Sequence, residues 1–421
     1  MKTAIIGTTV IDGTGHDPIA PATVLLEHDR IVSVKAGGAV PRGANVIDGE
    51  GLTLLPGLID THVHFMFDGN NIMQTLMTPY ALRLYQAIPR AAATLDGGFT
   101  TVRDAGHSPA GLKTAIAQKI FPGPRMQVAI TILSQTGGHG DQTMPCGICL
   151  QVPTPDMPPS VVDGVEAMRQ RVRELLRAGA DWIKVCATGG VLSPTDTPTS
   201  SQFTIEEIRA AVEEGQAHGN IEVMAHAQGT NGIKNAIRAG VKSIEHGIWL
   251  DDEAIELMIK HEVYLVPTLV APVQVLRRAE AEPGSMPEYA ITKSRQVIPA
   301  HHDSFRRAVV AGVRVAMGTD SGVGPHGQNA EELALMVQCG MTPMQAIVAT
   351  THHAAKLLKL DHDLGTVEPG KIADLVLVKG DPLADIQVLR PHENILLVMQ
   401  SGDIVKNQVA ERVVTKVSSG A

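Results

Sequence analysis

A chain of 421 residues with 44% hydrophobic and 19% charged side chains has the balance of a compact folded enzyme and excludes a disordered or fibrous protein. A formal net charge of -9 argues against a nucleic-acid partner, whose phosphates need concentrated Lys and Arg, and 3% aromatic residues suggest no stacking platform for nucleobases. No apolar run reaches the roughly 18 residues of a membrane span, the start Met1 to Ile6 lacks the apolar region of a secretory signal, and four cysteines are too few for a disulfide framework.

The expected setting is therefore the cytoplasm, and the expected partner is a small-molecule substrate, with the chain assembling as a homo-oligomer. Residues 1–56 alternate short β-branched runs with turn residues such as Asp12-Gly13-Thr14-Gly15, which reads as a small sheet. From Pro56 the pattern changes to apolar strands separated by helical stretches. Eight strands are predicted in order, over 58–64, 100–104, 127–133, 182–187, 222–227, 243–246, 264–268 and 314–320. Eight is the number that closes a parallel (β/α)8 TIM barrel, so the fold class is α/β, with residues 57–360 forming the barrel. Two further strands near 372–378 and 395–399 bring the tail, 361–421, back to residues 1–56 in one composite β-sandwich domain.

The long connection from about Ser134 to Ser160 follows the third strand and reads as an active-site lid, because the loops after barrel strands build the catalytic face. Its Cys146-Gly-Ile-Cys149 has no second CxxC or His pair to complete a metal site and reads as an ordinary loop.

His62 and His64 flank Val63 at the end of strand one, so the period of two sets both imidazoles on the same inward side. His226, His246 and Asp320 end strands five, six and eight, on the rim where barrel enzymes carry their chemistry. Lys184 lies within the apolar strand Trp182-Ile183-Lys184-Val185, where an unpaired ammonium is strongly disfavoured. Such a lysine has a lowered pKa and can add carbon dioxide, and the resulting carbamate offers two oxygens to a pair of divalent cations. An ion pair with a carboxylate such as Asp104 is the competing reading of Lys184. The nitrogen and oxygen donors suit zinc, with manganese, cobalt or iron also compatible. Two such cations would activate water at neutral pH and polarise a carbonyl, while catalytic Asp320 carries the proton to the leaving amine.

The run Pro56-Gly57-Leu58-Ile59-Asp60-Thr61-His62-Val63-His64 resembles the PGxxDxHxH opening of the amidohydrolase superfamily, and Ala373-Asp374-Leu375-Val376 resembles its C-terminal sandwich strand. The resemblance covers nearly the whole chain. It implies that His62, His64 and Asp320 hold one metal, that His226 and His246 hold the other, and that a carboxylated Lys184 bridges them.

Lys184 to Val191 and Gly137-Gly138-His139-Gly140-Asp141 are similar to the imidazolonepropionase-like branch that contains Xaa-Pro dipeptidases, carboxypeptidases and N-acyl amino acid hydrolases. That branch implies cleavage of an amide beside a free carboxylate, with ochratoxin A, releasing phenylalanine and ochratoxin alpha, as one substrate. His139, between glycines in the lid, is a candidate for binding the substrate carboxylate or an oxyanion. Tyr264, at the start of strand seven, is a weaker substrate-binding candidate, and His16 and His326 read as surface residues. A cyclic amidase or deaminase on the same fold is the first alternative, and an inactive scaffold the second.

Overall fold

The computed structural model describes residues 2–67, 69, 77–144, 146–151, 154 and 156–409. Residues 145, 152, 153 and 155 of the predicted lid and 410–421 of the tail lie outside them.

The N-terminal strands β1 (Lys2–Val10), β2 (Ile19–Glu27), β3 (Arg30–Ala36), β4 (Asn45–Asp48) and β5 (Leu52–Pro56) lead into β6 (Leu58–Val63). Among the described residues α1 (Tyr80–Asp96) comes next, then β7 (Phe99–Asp104) and α2 (Ala110–Ala117). The short strands β8 (Arg125–Val128) and β9 (Ile132–Leu133) precede α3 (Val165–Arg177). Strict alternation follows: β10 (Trp182–Cys186), α4 (Ile205–Ala217), β11 (Glu222–Ala227), α5 (Thr230–Ala239), β12 (Ser243–His246), α6 (Asp252–Lys260) and β13 (Tyr264–Val266). Two helices packed on each other, α7 (Val270–Ala281) and α8 (Glu288–Ala311), come before segment 314–321, and α9 (Glu331–Gln338), α10 (Pro343–Thr350) and α11 (His352–Leu357) after it. The tail supplies β14 (Leu375–Lys379), β15 (Ile395–Gln400) and β16 (Asp403–Asn407).

Helix starts follow their caps. Thr204 and Glu207 form a reciprocal capping box on α4, Thr342 and Gln345 another on α10, and the Asp251 carboxylate caps α6 through the Ala254 N–H. No helix among the described residues is long and apolar enough to cross a membrane.

Both chain ends meet as expected, in a mixed sheet of order β16-β15-β14-β5-β1-β2-β3 with β4 beside β1. Its hydrogen bonding runs as one eight-stranded sheet rather than as two separate layers. Ile5, Val24, Leu26, Leu54, Leu375 and Leu397 fill the core along one of its faces.

The parallel strands form two arcs, β13-β12-β11-β10-β9 and β6-β7-β8. Two of the predicted strands differ from expectation at the junctions of these arcs. The third is split, because Ile130 takes a left-handed φ of 64° and breaks the run between β8 and β9. The eighth, 314–320, pairs only through isolated bridges. Even so, it bonds to both arcs. Leu265 N donates to Arg314 O at 2.9 Å on one side, and Asp320 N donates to His62 O at 2.7 Å on the other. Near-continuous burial along β6, β7 and β10 through β13 is what strands covered on both faces show.

Candidate metal centre

Parallel strands point all their carboxyl ends the same way, and this brings five of the singled-out residues to one rim. His62 lies near the end of β6 and His64 one residue past it, His226 lies near the end of β11, His246 ends β12, and Asp320 lies at the carboxyl end of segment 314–321. Lys184 stands in the middle of β10, 2% exposed. All six line one cavity of about 280 Å³, close to the lower bound of roughly 300 Å³ for pockets that enclose small organic ligands.

The Asp320 carboxylate is the hub. Its Oδ1 lies 3.2 Å from His64 Nε2 and 3.6 Å from His62 Nε2. The rings of His62 and His246 are 5.3 Å apart, and those of His226 and His246 are 4.6 Å apart. One ligand atom each from His62, His246 and Asp320 lies within 4.8 Å of the others, so these three can hold a metal ion.

Each histidine is tied down through its outward nitrogen. His62 Nδ1 meets Glu245 Oε2 at 2.7 Å, and His64 Nδ1 meets Gly106 O at 3.0 Å. His246 Nδ1 meets Thr268 Oγ1 at 2.6 Å, whereas His226 uses Nε2, against Gly189 O at 3.0 Å. A carbonyl or carboxylate can only accept, so the outward nitrogens of His62, His64 and His226 carry the protons. The inward nitrogens of His62 (Nε2) and His226 (Nδ1) therefore present lone pairs, the form in which imidazole binds a metal, whereas His64 Nε2 faces the Asp320 carboxylate, which favours a proton there and raises the His64 pKa against the effect of burial.

The backbone is strained where these groups are delivered. His246 (φ 75°), Thr268 (φ 53°), Asp320 (φ 61°) and His107 (φ 76°) are non-glycine residues in the left-handed region, and all four line the cavity. Each costs on the order of 1–3 kcal/mol, and such strain concentrates at functional sites.

Electrostatics agree with this arrangement. Burial drives the pKa values of His62, His226 and His246 well below the ordinary histidine range, helped by the Lys184 charge. Burial also lowers Lys184. For Asp320 burial pushes upward, but His62, His64 and Lys184 outweigh it and hold the carboxylate ionised. Lys184 does not pair with Asp104, whose carboxylate instead accepts from Phe65 N at 2.9 Å, Gly106 N at 3.1 Å and Ser108 Oγ at 2.6 Å.

His139 joins the cavity from the lid, its ring stacked on His226 at 4.1 Å and 21°. Tyr264 does not join it. Standing at the amino end of β13, it packs at the opposite end of the strands among Ile59, Trp182, Met224 and Ala316. His16 is a surface residue as expected, but His326 is half-buried against Phe65, with ring centroids 5.2 Å apart. Cys146 and Cys149 are free and exposed.

Three supporting groups escape the sequence reading. Glu245, fully buried, joins His62 to Arg103 at 2.9 Å and Ser243 at 2.5 Å. Asp60 accepts from His62 N, Thr319 Oγ1 and Asn329 Nδ2, pinning β6 to segment 314–321. Arg83 on α1 lines the cavity, with Tyr80 and Arg90 at helical spacing on the same face. A carboxylate in a short buried strand was the available signal for Glu245. Arg83 had none.

Comparison with known proteins gives consistent results. The model of the amidohydrolase family matches residues 53–405. An ochratoxinase from Aspergillus niger is 34% identical over 368 residues, covering 84% of this chain and 75% of that protein. A crystal structure of a Xaa-Pro dipeptidase with bound methionine in the active site superposes with a TM-score of 0.89 at 37% identity, covering 97% of this chain and all of the other. A prolidase complexed with N-methylphosphonate-L-proline superposes at 0.88 and 35% identity, covering 97% of this chain and 100% of the other.

Proposed function

The chain belongs to the amidohydrolase family, and from that membership we propose that it is a binuclear metal-dependent hydrolase cleaving the amide of a dipeptide or N-acyl amino acid and releasing the C-terminal amino acid. The observation that carries this reading is the convergence of the oriented imidazole lone pairs of His62 and His226 with His64, His246, Asp320 and Lys184 on one cavity. We read the two parallel arcs and segment 314–321 as one (β/α)8 barrel over 57–360, with 1–56 and 361–421 as the accessory domain.

The donor set fits divalent cations, because three neutral imidazole edges and an ionised carboxylate would otherwise be buried together without purpose. His62, His64 and Asp320 would hold one ion and His226 and His246 the second. Lys184, whose burial lowers its pKa and so favours the free amine, would attack carbon dioxide, lose one proton and bridge the two as a carbamate. Bound there, zinc or a similar cation supplies Lewis acidity toward the scissile carbonyl and acidifies water. Asp320 takes the proton of the attacking water and passes it to the leaving nitrogen, a role its depressed pKa permits only with a strongly acidified donor.

Charge around the cavity favours an anionic substrate. Among the described lining residues Asp320 is the only acidic side chain, and Arg83 and Arg90 are cations that the proposed carbamate does not consume. Arg90 braces the segment after β6 through Phe65 O at 2.9 Å. Arg83 lines the cavity from the same helix, and we assign it to the substrate carboxylate. The names of the relatives, Xaa-Pro dipeptidase, prolidase and ochratoxinase, support the same substrate class, within which ochratoxin A is one member.

A mass-resolved panel of dipeptides, N-acyl amino acids including ochratoxin A, and cyclic amides tests the assignment on zinc-loaded protein. Release of free amino acid is expected. Turnover of cyclic amides alone, or release of ammonia, would move the chain to the cyclic amidase or deaminase alternative, and inertness with no metal held would leave the scaffold.

A further inference from the structure

The loop after β10 carries a buried hydrogen-bond chain that the proposed reaction leaves unused. The Asp196 side chain is 5% exposed. Its carboxylate accepts from Gly190 N at 3.1 Å, from Gln202 Nε2 at 2.9 Å and from the Ser193 hydroxyl in a short bond. Ser193 Oγ in turn lies 2.8 Å from His139 Nδ1. Lys293 of α8, about 100 residues further along the chain, pegs this loop from outside, donating to Gly190 O at 2.9 Å and to Ser193 O and Asp196 O at 2.7 Å.

A carboxylate can only accept, and serine has a single hydroxyl proton. That proton is directed to Asp196, with Gly190 O a longer second acceptor at 3.4 Å, so in either case Ser193 Oγ faces His139 as an acceptor and Nδ1 must be the protonated ring nitrogen. The nitrogen left for the cavity, Nε2, then carries a lone pair. The ring cannot turn away easily. It is stacked on His226 and lies over Gly190, where a Cβ would come within 2.2 Å of Cε1. The expected role of His139 as a donor to a carboxylate or oxyanion is reversed in this tautomer.

We propose that Asp196 and Ser193 are positioning residues that fix His139 as the Nδ1–H tautomer, so that its Nε2 accepts a hydrogen bond from a substrate N–H. The N–H is either that of the scissile amide or that of a free α-ammonium. The proposal rests on the amide-hydrolase reading for its substrate, but the tautomer does not.

Two measurements on the zinc-loaded full chain test it. In the first, imidazole 15N resonances of His139, assigned by their loss in His139→Ala, are recorded at mildly alkaline pH without substrate. Protonated Nδ1 with bare Nε2 is expected, and the reverse overturns the proposal even if no substrate is ever found. In the second, kcat and KM are compared for one cleaved amide, its N-methyl analogue and its des-amino analogue. Wild type should favour the substrate bearing the recognised N–H by about 3- to 10-fold if it is the neutral amide, and by roughly 10- to 100-fold if it is the charged ammonium. The analogue that loses the preference identifies which N–H is read. Ser193→Ala should abolish the preference with metal content unchanged, since His226 keeps its bond to Gly189 O, and Ser193→Thr should restore it. A preference that survives in Ser193→Ala, or its absence in an active wild type, overturns the proposal. Hydrolysis absent from every variant and substrate would instead count against the amide-hydrolase reading, with the 15N result still standing.

Discussion

Glu245 Oε2 lies 2.7 Å from His62 Nδ1 while its other oxygen lies 2.9 Å from Arg103 Nη2, with all three side chains essentially buried. One carboxylate thus orients the His62 imidazole and neutralises a buried guanidinium, whose own pKa is lowered by burial. Glu245→Gln keeps the shape and removes the charge. Metal affinity should fall about 10- to 100-fold. Stability should fall by about 3–5 kcal/mol, because Arg103 is left without its counter-ion. Competition titration with a chromophoric chelator and denaturant unfolding of the metal-stripped protein measure the two effects. Unchanged affinity would remove Glu245 from the centre.

Arg83 should distinguish substrates by their carboxylate. In Arg83→Leu, kcat/KM for an amide with a free carboxylate should drop roughly 10- to 100-fold, the range of a charge-assisted hydrogen bond. The corresponding carboxamide should be hydrolysed at an unchanged rate. An equal loss on both would mean that Arg83 shapes the cavity rather than reading charge.

Metal removal and refilling report on Lys184. Protein stripped by a chelator should lose activity and regain it with zinc, and bicarbonate during refilling should raise both the metal recovered and the rate. Lys184→Ala should hold less metal than wild type and gain nothing from bicarbonate. Equal recovery with and without bicarbonate would contradict the carbamate.

Glu332 predicts a pH dependence of stability away from the metals. It is fully buried, and burial raises its pKa from an ordinary 4.5 to about 8, although it accepts from Leu269 N and Val270 N, each at 2.8 Å. The folded state therefore binds the proton more tightly than the unfolded chain. This contribution is fully present below pH 4.5 and is lost as pH rises through about 8. Asp60, raised to about 6 by burial, adds to the lower part of the same slope. The wild-type melting temperature should fall across this window, and Glu332→Gln should flatten the slope. Parallel curves for the two proteins would refute the assignment.

The rim was legible because ionisable residues in apolar strands advertise a compensating partner. His226 follows Val223-Met224-Ala225 and Lys184 follows Trp182-Ile183, and neither fits a core without one. Glu245 is as deeply buried, but in the short run Ser243-Ile244-Glu245-His246 a polar majority hides it. The break at Ile130 was invisible, since a β-branched residue gives no local signal for a left-handed turn and only tertiary contacts impose it. The chain from Asp196 through Ser193 to His139 was equally hidden, because it depends on a loop pegged by Lys293 from a distant helix. Tyr264, the weaker substrate-binding candidate because it starts strand seven, lies at the opposite end of the strands, since position along a strand decides which end a side chain serves.

The most direct test of the central claim is hydrolysis in 18O-enriched water by the zinc-loaded chain, with Asp320→Asn as control and both products weighed by mass spectrometry. One 18O should appear in the carboxylate of the released acyl group, the amino acid should leave unlabelled, and Asp320→Asn should form neither product at a measurable rate. Ammonia in place of an amino acid, or equal turnover by Asp320→Asn, would contradict it.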